Sequence, residues 1–155
     1  MPVKPIPDGY HSVTPYLVVN GGAAALEFYK AVFGATELMR MEGPDGRVAH
    51  AEIKIGNSPI MVSDEWPDMG YRSPQAFGGS PVGIMIYCED AAATFARAVA
   101  AGATVKKPLE DQFYGDRSGA VTDPWGHQWT ISTHIEDVSP EEMDRRAKAW
   151  MEKAA

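Results

Sequence analysis

The chain has 155 residues, long enough to bury a real core, and its 21 acidic against 14 basic side chains leave a formal charge of −7. That balance argues against a nucleic-acid footprint, which needs a basic face, and no apolar run reaches the length of a membrane span. Cys88 is the single cysteine, which excludes an intrachain disulfide framework and suits a reducing compartment, so the cytoplasm is the expected location.

The opening stretch, MPVKPIPDGYHSVTP, lacks the apolar core of a signal peptide and reads as an extended Pro-rich arm. Residues 13–19 form the first expected strand, and Asn20-Gly21-Gly22 turns the chain into a helix. In that helix Ala25, Leu26, Tyr29, Val32 and Phe33 make an apolar stripe. A short strand over 37–41 leads into Gly43-Pro44-Asp45-Gly46, a hairpin turn. Residues 48–55 alternate, with Ala49, Ala51, Ile53 and Ile55 on one face and His50, Glu52 and Lys54 on the other. Gly56-Asn57-Ser58 turns the chain into a last strand over 59–63. This half reads βαβββ.

Residues 64–80, rich in Gly, Pro and aromatics, form a linker loop of the length often used as a lid. The plan then repeats: a strand over 83–87, a helix over 90–101, a strand over 104–107 that yields to a loop at Pro108, and strands over 118–122 and 128–133 around Asp123-Pro124-Trp125-Gly126. Ser139-Pro140-Glu141-Glu142 combines a cap, a first-turn proline and acidic first-turn residues, and predicts a tail helix over 140–152. The segments 14–36 and 82–104 align without a gap at an offset of 68, pairing Ala23–Ala25 with Ala91–Ala93 and Gly34-Ala35-Thr36 with Gly102-Ala103-Thr104. A shared strand, turn, helix and glycine stop point to a tandem duplication.

The paired βαβββ pattern, the LEFYKAVFGA helix and the DPWGH hairpin resemble the vicinal oxygen chelate superfamily of glyoxalase I, extradiol dioxygenases, and fosfomycin and bleomycin resistance proteins. Residues 113–142 are similar to its PhnB-like, glyoxalase-like branch. The resemblance implies an α+β fold, two tandem βαβββ modules forming a curved mixed sheet around a cup with a C-terminal helix. On this reading residues 1–155 are one domain: 12–63 the first module, 64–80 the linker, 81–134 the second module and 135–155 the tail. It also implies a homodimer, either ordinary or with swapped modules. The superfamily's metal-ligand positions fall on Thr14, Met61, Val82 and Thr130, none of them a good donor to a divalent metal. No cofactor is therefore predicted. A divalent metal enters only if His50 and Glu52, two residues apart on one strand face, act as candidate catalytic ligands with a third donor. His11, His127 and His134 are read as structural.

The expected cup wall comprises Thr14, Tyr16 and Val18, Val82, Ile84 and Ile86, Met61 and Ser63, and Gln128, Thr130 and Ser132, an apolar lining with a few hydroxyl and amide groups. Trp66, Phe77, Phe113 and Tyr114 are expected at its rim. Arg117 is a candidate for holding an anionic group, unless Asp116 pairs with it. Acidic neighbours Glu89 and Asp90 disfavour Cys88 as a nucleophile. Three readings stay open: a bleomycin-resistance-type protein enclosing a small apolar or aromatic ligand without the usual metal; a lyase, isomerase or dioxygenase acting on vicinal oxygens; and a non-catalytic dimeric scaffold. A small-molecule ligand is the expected partner, with neither nucleic acid nor membrane.

Overall fold

A computed structural model describes residues 2–155. In chain order the elements are β1 (Tyr16–Val19), α1 (Gly22–Phe33), β2 (Thr36–Glu42), β3 (Val48–Ile55), β4 (Ser58–Asp64), β5 (Gly83–Tyr87), α2 (Ala91–Ala100), β6 (Thr104–Asp111), β7 (Asp116–Thr122), β8 (Gln128–His134) and α3 (Pro140–Ala154). Two tandem βαβββ modules and a C-terminal helix give an α+β fold. Each module builds its own four-stranded mixed sheet, in the orders β1-β4-β3-β2 and β5-β8-β7-β6. The first and last strands of each module run parallel, and the remaining neighbours are antiparallel. By contacts the chain divides into two units, one running to Pro81 and adding Pro124–His127, the other holding Val82–Asp123 and Gln128–Ala155. No helix of the described residues is long and apolar enough to cross a membrane.

In the first unit α1 covers one face of the sheet. Leu26, Tyr29 and Val32 meet Leu17, Val19, Ile53, Ile60 and Val62, all at most 4% exposed. Burying each of these side chains contributes about 1.5–3 kcal/mol. The entry to α1 is built by a distant residue. Gly21 sits at φ 116°, and Asp64, at the end of β4, accepts from the Gly21 and Gly22 N–H groups at 2.9 Å each. Its other oxygen accepts from the Val48 N–H at 2.7 Å. A buried carboxylate thus satisfies helix-start donors that have no partner inside the helix.

The second unit does the same with other groups. Asp90 caps α2 by accepting from the Ala93 N–H, while Thr133 Oγ1 accepts from the Ala91 N–H and donates to the Cys88 carbonyl. Trp129 and Ile131 are fully buried, and the Trp129 indole donates to Asp123 at 2.8 Å. The tail helix, predicted over 140–152, runs to Ala154. Ser139 caps it, and Arg146 ties it to Glu136 and to the Phe113 carbonyl.

The repeat is real, but its spacing is not uniform. Gly22 and Ala91, Ala25 and Thr94, and Tyr29 and Ala98 are corresponding buried helix positions 69 apart. Asp64 and Thr133, which both cap the helix start, keep that spacing. Ala35 and Ala103 return to 68. The gapless alignment follows the alanine run and the Gly-Ala-Thr stop, and so misplaces β5 by one residue. Ile84 and Ile86 pair with Trp129 and Ile131, which puts them on the helix side of the sheet. Gly83, Met85 and Tyr87 take the open face in their place.

Three strand limits also differ from expectation. β1 starts at Tyr16, leaving Val13 exposed. β7 starts at Asp116. β6 continues through Pro108 to Asp111. A proline is tolerated there because β6 is an edge strand whose pairing is irregular between Lys107 and Glu110.

Candidate functional site

The open face of the first sheet carries the densest chemistry. Its geometry begins with a break in the β2–β3 pairing, where Met41 opposes His50 but Glu42 opposes Val48. Ala49 is the extra residue. Val48 and Ala51 on either side are fully buried, whereas Ala49 and His50 are both partly exposed. This bulge brings two consecutive side chains to the open face, so Ala49 lies with His50 and not on the opposite face that strict alternation predicts. The Asp64 bond to the Val48 N–H anchors the backbone just before the bulge.

Tyr16, Ala49, Ser63, Trp66, Met69 and Tyr71 line a cavity of about 360 Å³. Three of its walls are aromatic. Trp66 and Tyr71 are joined by reciprocal backbone hydrogen bonds, and the Tyr16 and Tyr71 rings lie 6.2 Å apart. The Arg47 guanidinium sits 4.0 Å over the Trp66 ring and also bonds Asp45 and the Glu65 carbonyl, which braces the indole. Glu65 takes both the N–H and the hydroxyl of Ser73, and the hydroxyl bond above all holds its carboxyl below the usual range. The 64–80 loop is therefore an ordered wall. On its other side Tyr16 borders a second cavity of about 240 Å³, shared with Val18, Phe77 and His127 among others.

Behind the cavity runs a chain of hydrogen bonds. The Tyr16 hydroxyl meets His50 Nδ1 at 2.8 Å, His50 Nε2 meets Glu52 Oε1 at 3.2 Å, and the Tyr10 hydroxyl donates to Glu52 Oε2. A carboxylate only accepts, so neutral His50 carries its proton on Nε2 and receives the Tyr16 proton at Nδ1. The Tyr10 bond first, and His50 second, hold the Glu52 carboxyl below its usual range. Burial, reinforced by Glu52, pushes the Tyr10 phenol up to about 12. The Pro-rich arm is thereby fastened to β3 by Tyr10, a link no sequence pattern announces.

The second unit has a separate cavity of about 250 Å³, lined by Gly83, Lys106, Lys107, Gln112, Tyr114, Ser118, Gly119, Ala120, Gln128 and Thr130. Gln128 and Thr130 are expected in the wall of a cup and Tyr114 at its rim, and all three line this cavity. Other expected residues are placed elsewhere. Ile84 faces the helix side, Val82 is 65% exposed ahead of β5, and Phe113 packs 5.7 Å from Trp150 of the tail helix. Arg117 is bound in bidentate fashion by Asp111 at 2.7 and 3.1 Å, not by Asp116. Asp116 is buried and accepts from the Tyr87 hydroxyl and from His134, whose pKa Asp116 and then Asp137 raise. In the first unit Met61 pairs with Tyr16 on the open face, Thr14 is half-buried ahead of β1, and His127 bonds the Val18 carbonyl.

The donor set does not fit a divalent metal. Thr14, Met61 and Thr130 occupy positions that the resemblance assigns to ligands, the observed register puts Gly83 where Val82 was expected, and both ring nitrogens of His50 are engaged. Among the described residues no three His, Cys, Asp or Glu side chains gather in a way that would hold an ion.

Two βαβββ modules, each with one face under a helix and the other open, define the class as a paired-module α+β protein. Residues 9–131 match the family described as the Glyoxalase/Bleomycin resistance protein/Dioxygenase superfamily, and the chain belongs to it. An uncharacterised protein of Mycobacterium bovis is 43% identical over 135 residues, spanning 85% of this chain and 89% of that protein. The X-ray structure of the Arabidopsis thaliana gene product At5g48480 is 30% identical, covering 78% of this chain and 97% of its own with a TM-score of 0.62. TioX from Micromonospora sp. ML1 is 26% identical, covering 81% and 99% with a TM-score of 0.62.

Proposed function

We propose that the protein is a small-molecule-binding member of this superfamily that encloses a flat apolar or aromatic ligand against the first module's open face. The observation that carries this reading is the cavity walled by Tyr16, Trp66 and Tyr71, with Ser63 and Met69 completing it. Rigid aromatic walls with few polar groups select planar organic molecules, and a stacked ring adds about 0.5–1.5 kcal/mol beyond its buried area. Membership of a family that includes bleomycin resistance proteins supports the same reading. Screening planar antibiotics and aromatic metabolites by thermal shift, then titrating hits calorimetrically, tests it. Trp66→Ala is expected to weaken binding about tenfold or more. Unchanged affinity in that variant overturns the assignment of this cavity. The reading takes the protein as a cytoplasmic homodimer, and light scattering on the purified chain checks the dimer.

One observation favours a second reading, an enzyme that moves protons without a metal. The Tyr16–His50–Glu52 chain has the order of a relay, with a phenol at the cavity, an imidazole behind it and a carboxylate fixing the tautomer. Tyr16 would take a proton from a bound carbon or oxygen acid as its own passes to His50. The test is turnover by Tyr16→Phe, in which kcat falls and KM holds.

A further inference from the structure

We propose that the cavity of the second module is a binding site for a small dianionic oxyanion, a phosphate group either free or carried as a monoester. The site goes beyond the aromatic cavity and needs nothing from it.

The argument starts with a second break in pairing. Val105 opposes Val121 and Lys107 opposes Ala120, so two steps along β6 match one along β7, and Lys106 is the extra residue. As at Ala49, the bulge turns two consecutive side chains to one face. Here both are lysines, and both line the 250 Å³ cavity. Lysine on an edge strand commonly serves only to block strand addition. These two differ in what surrounds them. Lys106 bonds the neutral amide oxygen of Gln128, and the Lys107 ammonium has no hydrogen bond or ion pair among the described residues.

The chain has seven more acidic than basic groups, and Lys30, Arg40, Arg117 and Arg146 are held by carboxylates; Lys54 and Lys153 also lack an ion pair among the described residues, but neither lines this cavity. Glu110, in register with Ser118, is exposed and ion-paired with neither lysine. Two adjacent ammonium groups repel each other, and an anion between them removes that repulsion. The rest of the lining supplies hydroxyl donors. Ser118 Oγ accepts from Ser132, which leaves its own proton to donate, and the Tyr114 and Thr130 hydroxyls border the same space. Two point-charge ammoniums with hydroxyls suit a compact dianion better than a planar carboxylate, which favours the arginine fork.

The experiment titrates the full-length protein at low ionic strength with inorganic phosphate, glycerol phosphate and acetate, read by amide chemical-shift changes. Saturable binding of phosphate, with shifts confined to β6, β7 and β8, is expected. Lys107→Met and Lys106→Met are each expected to weaken it about tenfold or more, and Lys153→Met on the tail helix to leave it unchanged. Tighter binding of glycerol phosphate assigns the site to a monoester, and equal or weaker binding assigns it to the free ion. No saturable binding, equal loss in all three variants, or acetate binding as tightly as phosphate overturns the proposal.

Discussion

Replacing Asp64 with alanine is the sharpest test of how the first module is assembled. One carboxylate accepts from three backbone N–H groups, those of Gly21, Gly22 and Val48, at 2.7–2.9 Å. The Gly22 and Val48 bonds are buried, and the Gly21 bond is partly so. Each buried donor left without an acceptor costs about 1–3 kcal/mol. Regained hydration of the carboxylate in the unfolded chain no longer counts against folding, and this offsets part of the loss. The net expected for Asp64→Ala is about 3 kcal/mol, a large share of the ~5–15 kcal/mol that holds a typical domain. Asp64→Asn keeps one oxygen for the helix start but sets an amide NH₂ against the Val48 N–H, so about 2 kcal/mol is expected. Urea unfolding gives both numbers. Native-state hydrogen exchange adds a local reading, with the amides of Gly22 and Val48 losing protection first. A loss below about 1 kcal/mol in Asp64→Ala, or unchanged protection at Val48, refutes the reasoning.

Gly22→Ala tests the same junction by crowding, since a Cβ would lie 2.7 Å from Asp64 Oδ2 and 2.8 Å from Val48 Cβ. It is expected to cost about 1–3 kcal/mol in the same urea assay, and a neutral result would mean the helix start is loosely packed. Tyr16→Phe keeps the ring as a cavity wall and removes the hydroxyl from His50 Nδ1. The Nδ1 resonance in nitrogen-15 spectra of the imidazole should then leave its hydrogen-bonded position while Glu52 keeps the Nε2–H tautomer, and an unchanged Nδ1 shift would deny the bond. His134 makes stability depend on pH. Its folded pKa is raised above the ordinary 6.5, so its contribution is complete below that value and is lost as pH rises through the raised one. The stability gap between the wild type and His134→Gln should therefore shrink above neutral pH, and a gap that widens there would reverse the assignment.

The duplication, all three helices and most strand faces of the first module were legible because they rest on local periodicity and capping. What stayed hidden has a common physical cause. A bulge inserts one residue without a sequence signature, so alternation placed Ala49 on the wrong face and gave no sign that Lys106 and Lys107 share one. The alignment misplaced Ile84 because the repeat changes spacing between its strand–helix portion and the stop that follows. Asp64 acts on residues 16 and more than 40 positions away, and Tyr10 reaches Glu52 from an arm that reads only as extended. Trp66 stood out as a loop aromatic, but Tyr71 and Met69 beside it became visible only once the loop was closed on itself.

The two modules carry a bulge at equivalent edge-strand positions, with Leu38 as the extra residue in β2 and Lys106 in β6. One backbone device was therefore copied along with the rest of the half-chain and then fitted with different side chains. In the first copy it presents Leu38 and Met39, and in the second a pair of amines. Ligand preference in such a protein can drift by point substitution at two neighbouring codons while the strand pairing stays untouched. Each half is then free to specialise without renegotiating the fold of the other. Exchanging Leu38-Met39 with Lys106-Lys107 would transplant a charge preference between two otherwise unaltered sheets.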